Sequence, residues 1–503
     1  MQKPKRILVL QLARLGDIYQ TWPVLRAIKR TEPECELHFV TRSRFSVAAP
    51  QDGVIDRIWK LDTRDVLTPL VDEIPNHDES IARLGRFIDE LAASDFDRVV
   101  NLSFSPFSSY LTSEVAKPGC DVRGYTRTAD GYLSIPDDGS AYFYAQVGVG
   151  KSNRVHVSDL FAHVAGVELC EQDWSAGVDV TALTGASVAA AGTDAIVVHI
   201  GASQLAKTFS GSKWLQVIKG LCREHTGRVV VVGSEEEAGI AAQACAISGE
   251  NKPVDLVGKT TLGELVEIVR GAKCVIGGDS APIQIASLTK TPCLNLSFPQ
   301  VSFWETGPRA AGSRILPITN EDSISSERIV DEAMRIVRGK APGASDVVRV
   351  AGPMIPFVET IPQLRTFEWE LLRALYMSEA FPPPPGETFL LGVQRLTEVN
   401  SLVIDQLEAL RRLPTNKTAA AIIDRCDEVM DQIVGFVPEI APMVRWFRTE
   451  RLRIGPMQVA SLIEATAEVH ARFEQVLELY GQTSGGTENS GRGENGHDDV
   501  ILE

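Results

Sequence analysis

Residues 275–294 read VIGGDSAPIQIASLTKTPCL, and this stretch decides the fold class of the central part of the chain. The apolar run ends at Asp279 and Ser280, Pro282 follows where the first turn of a helix tolerates proline, and residues 283–288 predict a short helix before the next strand. This order places free backbone N–H groups at the carboxyl edge of a parallel sheet, where phosphorylated ligands bind. A capped helix without a ligand is the alternative interpretation.

Composition and charge limit the classes of function. The 503 residues carry a formal net charge of −16, which argues against a general nucleic-acid binder and favours small anions or neutral groups as ligands. No apolar run has the length of a membrane span, and the first residues, MQKPKRILVLQL, read as a buried strand without a cleavage site. We therefore expect a cytoplasmic protein. Its eight scattered cysteines indicate reduced core residues rather than a disulfide or zinc framework.

Two series of alternating strands and helices predict two Rossmann-like domains that face each other across a cleft. The first occupies residues 1–180 and begins with the buried strand 7–10, and the second occupies residues 195–340. The small and polar segment 181–194 between them reads as an interdomain linker.

The remainder of the chain has a different character. Residues 341–387 form a Pro/Gly-rich connector with a helix, ending in the polyproline spacer FPPPPGE, and residues 388–480 are amphipathic helices. These helices predict an intramolecular bundle, and self-association through them is the alternative. The glycine-rich residues 481–503 predict a disordered tail.

Three loops carry candidate chemistry. In the first half, the loop RLGD holds Arg14, Gly16 and Asp17, and the aspartate is either an N-cap or a catalytic group. In the second half, GASQLAKTFSGSKW turns at Gly201 and offers Lys207 as a cation for phosphate oxygens. Lys213 is a second candidate in the same segment, although loop lysines are usually solvated.

The glutamates 235–237 follow a strand, where a carboxylate meets ribose hydroxyls, or they favour the helix N-terminus electrostatically. The sequence has no G-x-x-x-x-G-K-[ST] loop, no G-x-G-x-x-G after the first strand and no G-x-S-x-G. P-loop NTPases, ordinary NAD enzymes and common serine hydrolases therefore lose support.

Four segments together resemble glycosyltransferase family 9, the ADP-heptose:lipopolysaccharide heptosyltransferases. These segments are LARLGDIYQTWPVLRAIK, GASQLAKTFSGSKW, GSEEE and GGDSAPIQIASLTKTPCLNL. The resemblance covers about residues 5–340. It implies a GT-B fold and inverting transfer of a heptose or related sugar from an ADP-sugar to a hydroxyl of a lipopolysaccharide core, another glycan or a protein. It implies no metal and no cofactor.

The resemblance also implies roles for single residues. Asp17 falls on the proposed general base, Lys207 on the lysine that neutralises the diphosphate, and Asp279 on the aspartate that holds the sugar. The remaining substrate-binding positions are Arg14, Gly16, Gly201, Glu236 or Glu237, Ser280, Ala281 and Gln284.

The sequence departs from the family pattern D-[ST]-G-x-x-H at Ala281 and Gln284, and Phe298 replaces a glycine further on. These departures leave one alternative, a catalytically impaired scaffold protein that assembles through its C-terminal helices. A sugar-nucleotide epimerase on the same two-domain fold is a third interpretation, which loses support because the sequence offers no facing set of acid and base residues beyond Asp17. Arg14, Arg42 and Arg44 are candidates for meeting an acidic acceptor. Peripheral contact with the inner membrane and homo-oligomerisation through the C-terminal helices complete the expected partners.

Overall fold

The chain folds into two units, Met1–Leu364 and Arg365–Glu503, of which the first is α/β and the second helical. The structure is a computed structural model and describes residues 4–149, 152–177, 185–202, 204–247, 252–354 and 366–481. The α/β unit contains two sheets with helices, which confirms the predicted GT-B architecture.

The first sheet is entirely parallel, with the strand order β3-β2-β1-β4-β5. Residues 7–10 of β1 are completely buried because the sheet is covered on both faces, as the continuous apolar run predicts. The strand order reverses beside β1, so loops at its carboxyl end lie at a topological switch point. The strands are β1 (Arg6–Leu10), β2 (Glu36–Arg42), β3 (Arg57–Leu61), β4 (Arg98–Asn101) and β5 (Asp121–Gly124).

Six helices and a short hairpin accompany this sheet. They are α1 (Leu15–Thr31), α2 (Thr63–Val71), α3 (His77–Ala92), α4 (Pro106–Val115), the antiparallel pair β6 (Thr126–Arg127) and β7 (Leu133–Ser134), α5 (Asp138–Gln146) and α6 (Val157–Ala165).

The second sheet has the order β10-β9-β8-β11-β12-β13-β14, with its switch point between β8 and β11. Its elements are α7 (Ala186–Ala191), β8 (Ile196–His199), α8 (Gly211–Glu224), β9 (Val229–Val232), α9 (Ala238–Ala244), β10 (Val254–Asp255), α10 (Leu262–Arg270), β11 (Cys274–Gly277), α11 (Ala281–Thr289), β12 (Cys293–Ser297), α12 (Phe303–Thr306), β13 (Arg314–Pro317), α13 (Ser326–Val337) and β14 (Val348–Arg349).

Two segments differ from the sequence prediction. The predicted linker 181–194 contains α7, whose Ala191 is buried, while its residues 181–184 lie outside the described residues. The predicted connector 341–387 contributes β14, which pairs antiparallel with β13. Helix α7 and strand β14 are too short for hydrophobic periodicity to predict their secondary structure. Packing against a neighbouring sheet or helix is what stabilises such short elements.

The two halves of the α/β unit contact each other through helices at the carboxyl edges of the sheets. Helix α1 packs against α11, and one buried apolar cluster contains Ile18 and Leu25 of α1 together with Ile283 and Ile285 of α11. Because both helices begin at loops that carry candidate catalytic residues, their packing brings those loops together.

The second unit is a helical bundle, as predicted. Its helices are α14 (Phe367–Met377), α15 (Glu387–Arg412), α16 (Lys417–Phe436), α17 (Ala441–Leu452) and α18 (Val459–Gly481). Leu371 of α14 lies in the same buried cluster as Phe389, Phe447 and Phe473, so the helix of the predicted connector belongs to the core of the bundle.

The predicted disordered tail lies outside the described residues except for Gly481, which ends α18. Across the described ranges, no helix combines the length and the apolar character that crossing a membrane requires.

Candidate active site

A cavity of about 680 Å³ lies at the carboxyl edges of the two sheets. Its walls come from the start of α1 in the first half and from the loops after β8, β9 and β11 in the second half. The residues that line it are Arg14, Leu15, Gly16, Asp17, Gln20, Arg44, Phe45, His199, Ala202, Lys207, Gly233, Ser234, Glu236, Glu237, Thr260, Leu262, Leu265, Asp279, Ser280, Ala281, Pro282, Gln284 and Thr306. Of the residues to which the family resemblance assigns a catalytic or substrate-binding role, all except Gly201 line this cavity.

Asp17 lies in the first turn of α1, at the third helical position. Its Oδ2 accepts a hydrogen bond of 2.8 Å from the backbone N–H of Arg14, which caps the helix. Burial raises the pKa of Asp17, whereas the hydrogen bond and the positive charge of Arg14 act in the opposite direction. Arg14 rather than Asp17 is the N-cap, and the Asp17 carboxylate completes the cap from the third helical position while it faces the cavity.

Asp279 is separated from β11 by one residue, Gly278, and precedes Ser280, the N-cap of α11. Burial raises the pKa of Asp279 to about 6, against the lowering effects of a hydrogen bond with the Thr306 side chain and of the positive charge of Lys207. The negative charge of Asp17 also raises this pKa. The two carboxylates, one from each half, thus face the same space.

Lys207 reaches the cavity from a 3₁₀ turn, Leu205–Lys207. A Cβ atom at Gly278 would lie 2.9 Å from the backbone oxygen of Lys207, so a glycine is needed where the end of β11 meets this turn. Within the described part of the chain, the Lys207 ammonium makes no hydrogen bond or ion pair, which leaves it available to an anion.

The other candidate lysine, Lys213, does not belong to the site. Its Nζ donates a 2.6 Å hydrogen bond to the backbone oxygen of Ile324, and it does not line the cavity. Trp214, the next residue, is buried and donates through Nε1 to the hydroxyl of Thr208 at 3.1 Å, which supports the loop beside Lys207.

Gln284 contributes to the wall of the cavity and to its support. Its Nε2 donates a 2.6 Å hydrogen bond to the backbone oxygen of Thr306. A Cβ atom at Gly16 would lie 4.0 Å from the Cγ of Gln284, so the first half approaches the second at this point. The amide nitrogen of Gln284 is therefore engaged in holding the end of α12.

The sequence leaves either Glu236 or Glu237 as the candidate for the ribose hydroxyls, and the structure shows that the two side chains have different surroundings. Glu237 Oε2 accepts a 2.7 Å hydrogen bond from the Ser234 hydroxyl, and its carboxylate lies 2.6 Å from where a Cβ atom of Gly201 would be. Gly201 thus makes room for Glu237 rather than lining the cavity. Glu236 is exposed at the cavity and makes no hydrogen bond or ion pair among the described residues.

His199 and Thr306 are site residues that the sequence analysis missed. His199 ends β8, and its Nδ1 lies 3.1 Å from the hydroxyl of Ser280. Burial lowers the pKa of His199 to about 4, so the ring is neutral at pH 7. A histidine at the end of the buried run AIVVH was the available signal. Thr306 carried none, because it lies on a four-residue helix far along the chain.

Among the residues whose placement is described, no group of three or more His, Cys, Asp or Glu side chains is arranged to hold a metal ion. The metal-independent reaction remains a prediction.

Comparisons with a family model and with a known protein point to the same enzyme family. Residues 84–327 match the family model for glycosyltransferase family 9 (heptosyltransferase). Lipopolysaccharide heptosyltransferase 1 of Campylobacter coli is 21% identical over 311 residues, which cover 58% of this chain and 83% of that protein. The family match begins after the Arg14–Asp17 loop.

Two solved structures support the fold. The glycosyl transferase family 9 protein from Veillonella parvula is 19% identical, with a TM-score of 0.50, and the similarity covers 68% of this chain and 99% of that one. The E. coli heptosyltransferase WaaC, solved with ADP, is 15% identical with a TM-score of 0.50, covering 66% of this chain and 99% of that one.

Proposed function

We propose that this chain transfers a heptose or related sugar from an ADP-sugar with inversion at the anomeric carbon. The proposal starts from its membership of glycosyltransferase family 9, the heptosyltransferase family, which makes it a glycosyltransferase. The acceptor is a hydroxyl of a lipopolysaccharide core, another glycan or a protein. The observation that supports this proposal is the single cavity that Asp17 lines from one half and Lys207 and Asp279 line from the other.

This division of charges fits displacement at an anomeric carbon. The acceptor oxygen attacks the anomeric carbon, its proton passes to the Asp17 carboxylate, and the bond to the diphosphate oxygen breaks with its electron pair to release ADP. A base on the acceptor side and a cation on the leaving-group side are the two groups that such a step requires. Asp17 supplies the first and Lys207 the second.

The donor is held by the second half in this proposal. At the start of α11 the backbone N–H of Ala281 is available to phosphate, whereas Pro282 has none to donate and the N–H of Ile283 donates to the backbone oxygen of Ser280. Glu236 is the better candidate for the ribose hydroxyls because Glu237 is engaged with Ser234. The ADP bound to E. coli WaaC is consistent with this nucleotide.

Ligand binding to the full chain tests the nucleotide. We expect ADP and ADP-heptose to raise the melting temperature and UDP to have a much smaller effect, because a ligand specific for the folded state at 100 times its Kd adds about 2.7 kcal/mol of stability. The product of transfer should have the anomeric configuration opposite to the donor, measured by NMR. Equal shifts with UDP, or a retained configuration, would contradict the proposal.

The same proposal includes a cytoplasmic location and contact with the inner membrane during transfer to a lipid-linked acceptor. Self-association through the helical unit stays a prediction, which light scattering of the full chain measures directly.

A further inference from the structure

The short helix α12 is held in place by the end of the first half of the α/β unit. The Arg154 guanidinium lies over the ring of Trp304 at 4.7 Å. Glu305 Oε1 accepts hydrogen bonds from the side-chain amide of Asn153 at 3.1 Å and from the backbone N–H of Gly148 at 3.2 Å. Because four residues are too few to form a stable helix alone, such contacts fix the position of α12.

The backbone that leaves α12 is held from the same side. His156 is buried, and its Nδ1 accepts a 3.1 Å hydrogen bond from the backbone N–H of Ser158. Burial lowers the pKa of His156 well below its usual value, so the ring is neutral and its one proton is on Nε2. Nε2 donates to the backbone oxygen of Gly307 at 3.1 Å. The segment 304–307 is thus contacted from the first half on both sides of Thr306.

Thr306 is the residue of this segment that lines the active-site cavity. Its backbone oxygen accepts the 2.6 Å hydrogen bond from Gln284. Its hydroxyl has a single hydrogen, for which the backbone oxygen of Ser302 at 3.3 Å and the Asp279 carboxylate compete. Burial raises the pKa of Asp279, and the hydrogen bond with Thr306 opposes this rise, so the hydroxyl stabilises the ionised carboxylate.

Glu305 is a buried carboxylate that the proposed chemistry does not use. Its side chain is 9% exposed and does not line the cavity. Burial raises its pKa, against the hydrogen bonds from Asn153 and Gly148. Keeping a carboxylate at this position costs free energy. Any effect of Glu305 on the site therefore passes through the backbone of α12, which connects it directly to Thr306.

We infer that Glu305 is a positioning residue for the donor sugar: it anchors α12 to the first half and thereby holds the Thr306 hydroxyl against the Asp279 carboxylate. The inference rests on the proposed function, in which Asp279 holds the transferred sugar. It adds that the first half acts on a donor-side group through Glu305. Preference for ADP-heptose over ADP thus depends on a residue outside the cavity.

Calorimetry of the full chain with ADP and ADP-heptose tests the inference. Glu305→Ala should weaken ADP-heptose about tenfold, because Asp279 loses a well-placed hydrogen bond. ADP lacks the sugar, so its affinity should change less than about twofold. Glu305→Gln keeps the Oε1 acceptor for both donors and should return ADP-heptose to within about twofold of the wild-type affinity.

The matched control is Glu332→Gln, which alters a second buried glutamate of the same half. Glu332 pairs with Arg314 at 2.6 Å, accepts from the backbone N–H of Gly343 at 2.6 Å, and does not line the cavity. This variant should lower the melting temperature, because the Arg314 charge loses its partner. The ratio of ADP-heptose affinity to ADP affinity should stay within about twofold of the wild-type ratio.

Thermal melting tests the same connection without a ligand. Wild type, Glu305→Ala, Asp279→Asn and the double variant are compared at pH 7.5. Because a carboxylate gains more from a hydroxyl donor than an amide does, Glu305→Ala should lower the melting temperature less in the Asp279→Asn background. The charged groups that act on Asp279 are the same in all four chains, namely Lys207, Asp17 and Arg14.

Any one of three results would overturn the inference. These are equal changes of ADP and ADP-heptose affinity in Glu305→Ala, no recovery in Glu305→Gln, and equal melting losses in the two backgrounds. If the wild-type chain binds neither ADP nor ADP-heptose, the proposed function fails, and the melting comparison alone decides whether Glu305 positions Asp279.

Discussion

The two halves of the α/β unit have the same strand-to-helix junction, but different residues surround it in each half. Each places an aspartate where a buried strand leads into a helix, Asp17 inside the first turn of α1 and Asp279 before the N-cap of α11. Asp17 shares the cavity with Arg14 and Arg44, whereas Asp279 is next to Lys207 and the neutral His199–Ser280 pair. In the proposed function, the same strand-to-helix topology therefore serves an acceptor side and a donor side, which differ in their loops.

The strongest test of this division is Asp17→Asn. The asparagine keeps an oxygen that can accept from the Arg14 N–H, so α1 stays capped, but it cannot take a proton. Transfer from ADP-heptose to lipid A-core glycans, followed as ADP release, should fall about a thousandfold, as expected for loss of a general base. ADP affinity by calorimetry should change less than about twofold.

A comparable loss of ADP affinity in Asp17→Asn would mean that Asp17 belongs to the donor side, and the contrast between the halves would not hold.

The variants Lys207→Met and Lys213→Met test which lysine binds the donor diphosphate. The two lysines are six residues apart, and only Lys207 lines the cavity. Lys207→Met should weaken ADP about 10- to 100-fold through loss of a charge-assisted interaction with the diphosphate. Lys213→Met should keep ADP affinity and lose about 1 kcal/mol of stability, because the hydrogen bond to Ile324 is removed.

Calorimetry and thermal melting measure both effects of the lysine pair. Equal ADP affinity in the two variants would remove Lys207 from the donor site.

The smallest expected effect is the pH dependence of stability at Asp279. Its pKa of about 6 in the folded chain exceeds the value of about 3.9 in an unfolded chain. Between these values the folded state binds more protons than the unfolded state, so this group's contribution to stability falls as pH rises from about 4 to about 6. Asp279→Asn should therefore raise the melting temperature at pH 7.5 and have little effect near pH 4.

Asp121→Asn is the control of opposite sign for the Asp279 experiment. Burial opposes the change, but hydrogen bonds from Arg123 and Arg98 lower the pKa of Asp121, so its contribution is present at neutral pH and lost on acidification. This variant should lower the melting temperature at pH 7.5. A lower melting temperature of the Asp279→Asn variant at pH 7.5 would contradict the prediction that the buried Asp279 carboxylate destabilises the folded chain.

The sequence by itself was sufficient for the architecture and for the charged residues that line the cavity. Continuous apolar runs such as residues 7–10 and 229–232 predict strands buried on both faces, and the alternation with helical periodicity predicts parallel sheets. The loops that hold Asp17, Lys207 and Asp279 follow such strands, so their convergence at the sheet edges was predictable. Short pieces such as α7 and β14 were not, because packing rather than local propensity stabilises them.

Only the tertiary structure decided which side chains face the cavity and which are engaged elsewhere. It separated Lys207 from Lys213 and Glu236 from Glu237, and it added His199 through its contact with Ser280. It also brought Arg14 and Arg44, from loops that are distant in sequence, to the same cavity. The physical reason is that hydrophobic periodicity reports whether a segment is buried, whereas the partner of a polar side chain depends on which loops meet at the carboxyl ends of neighbouring strands.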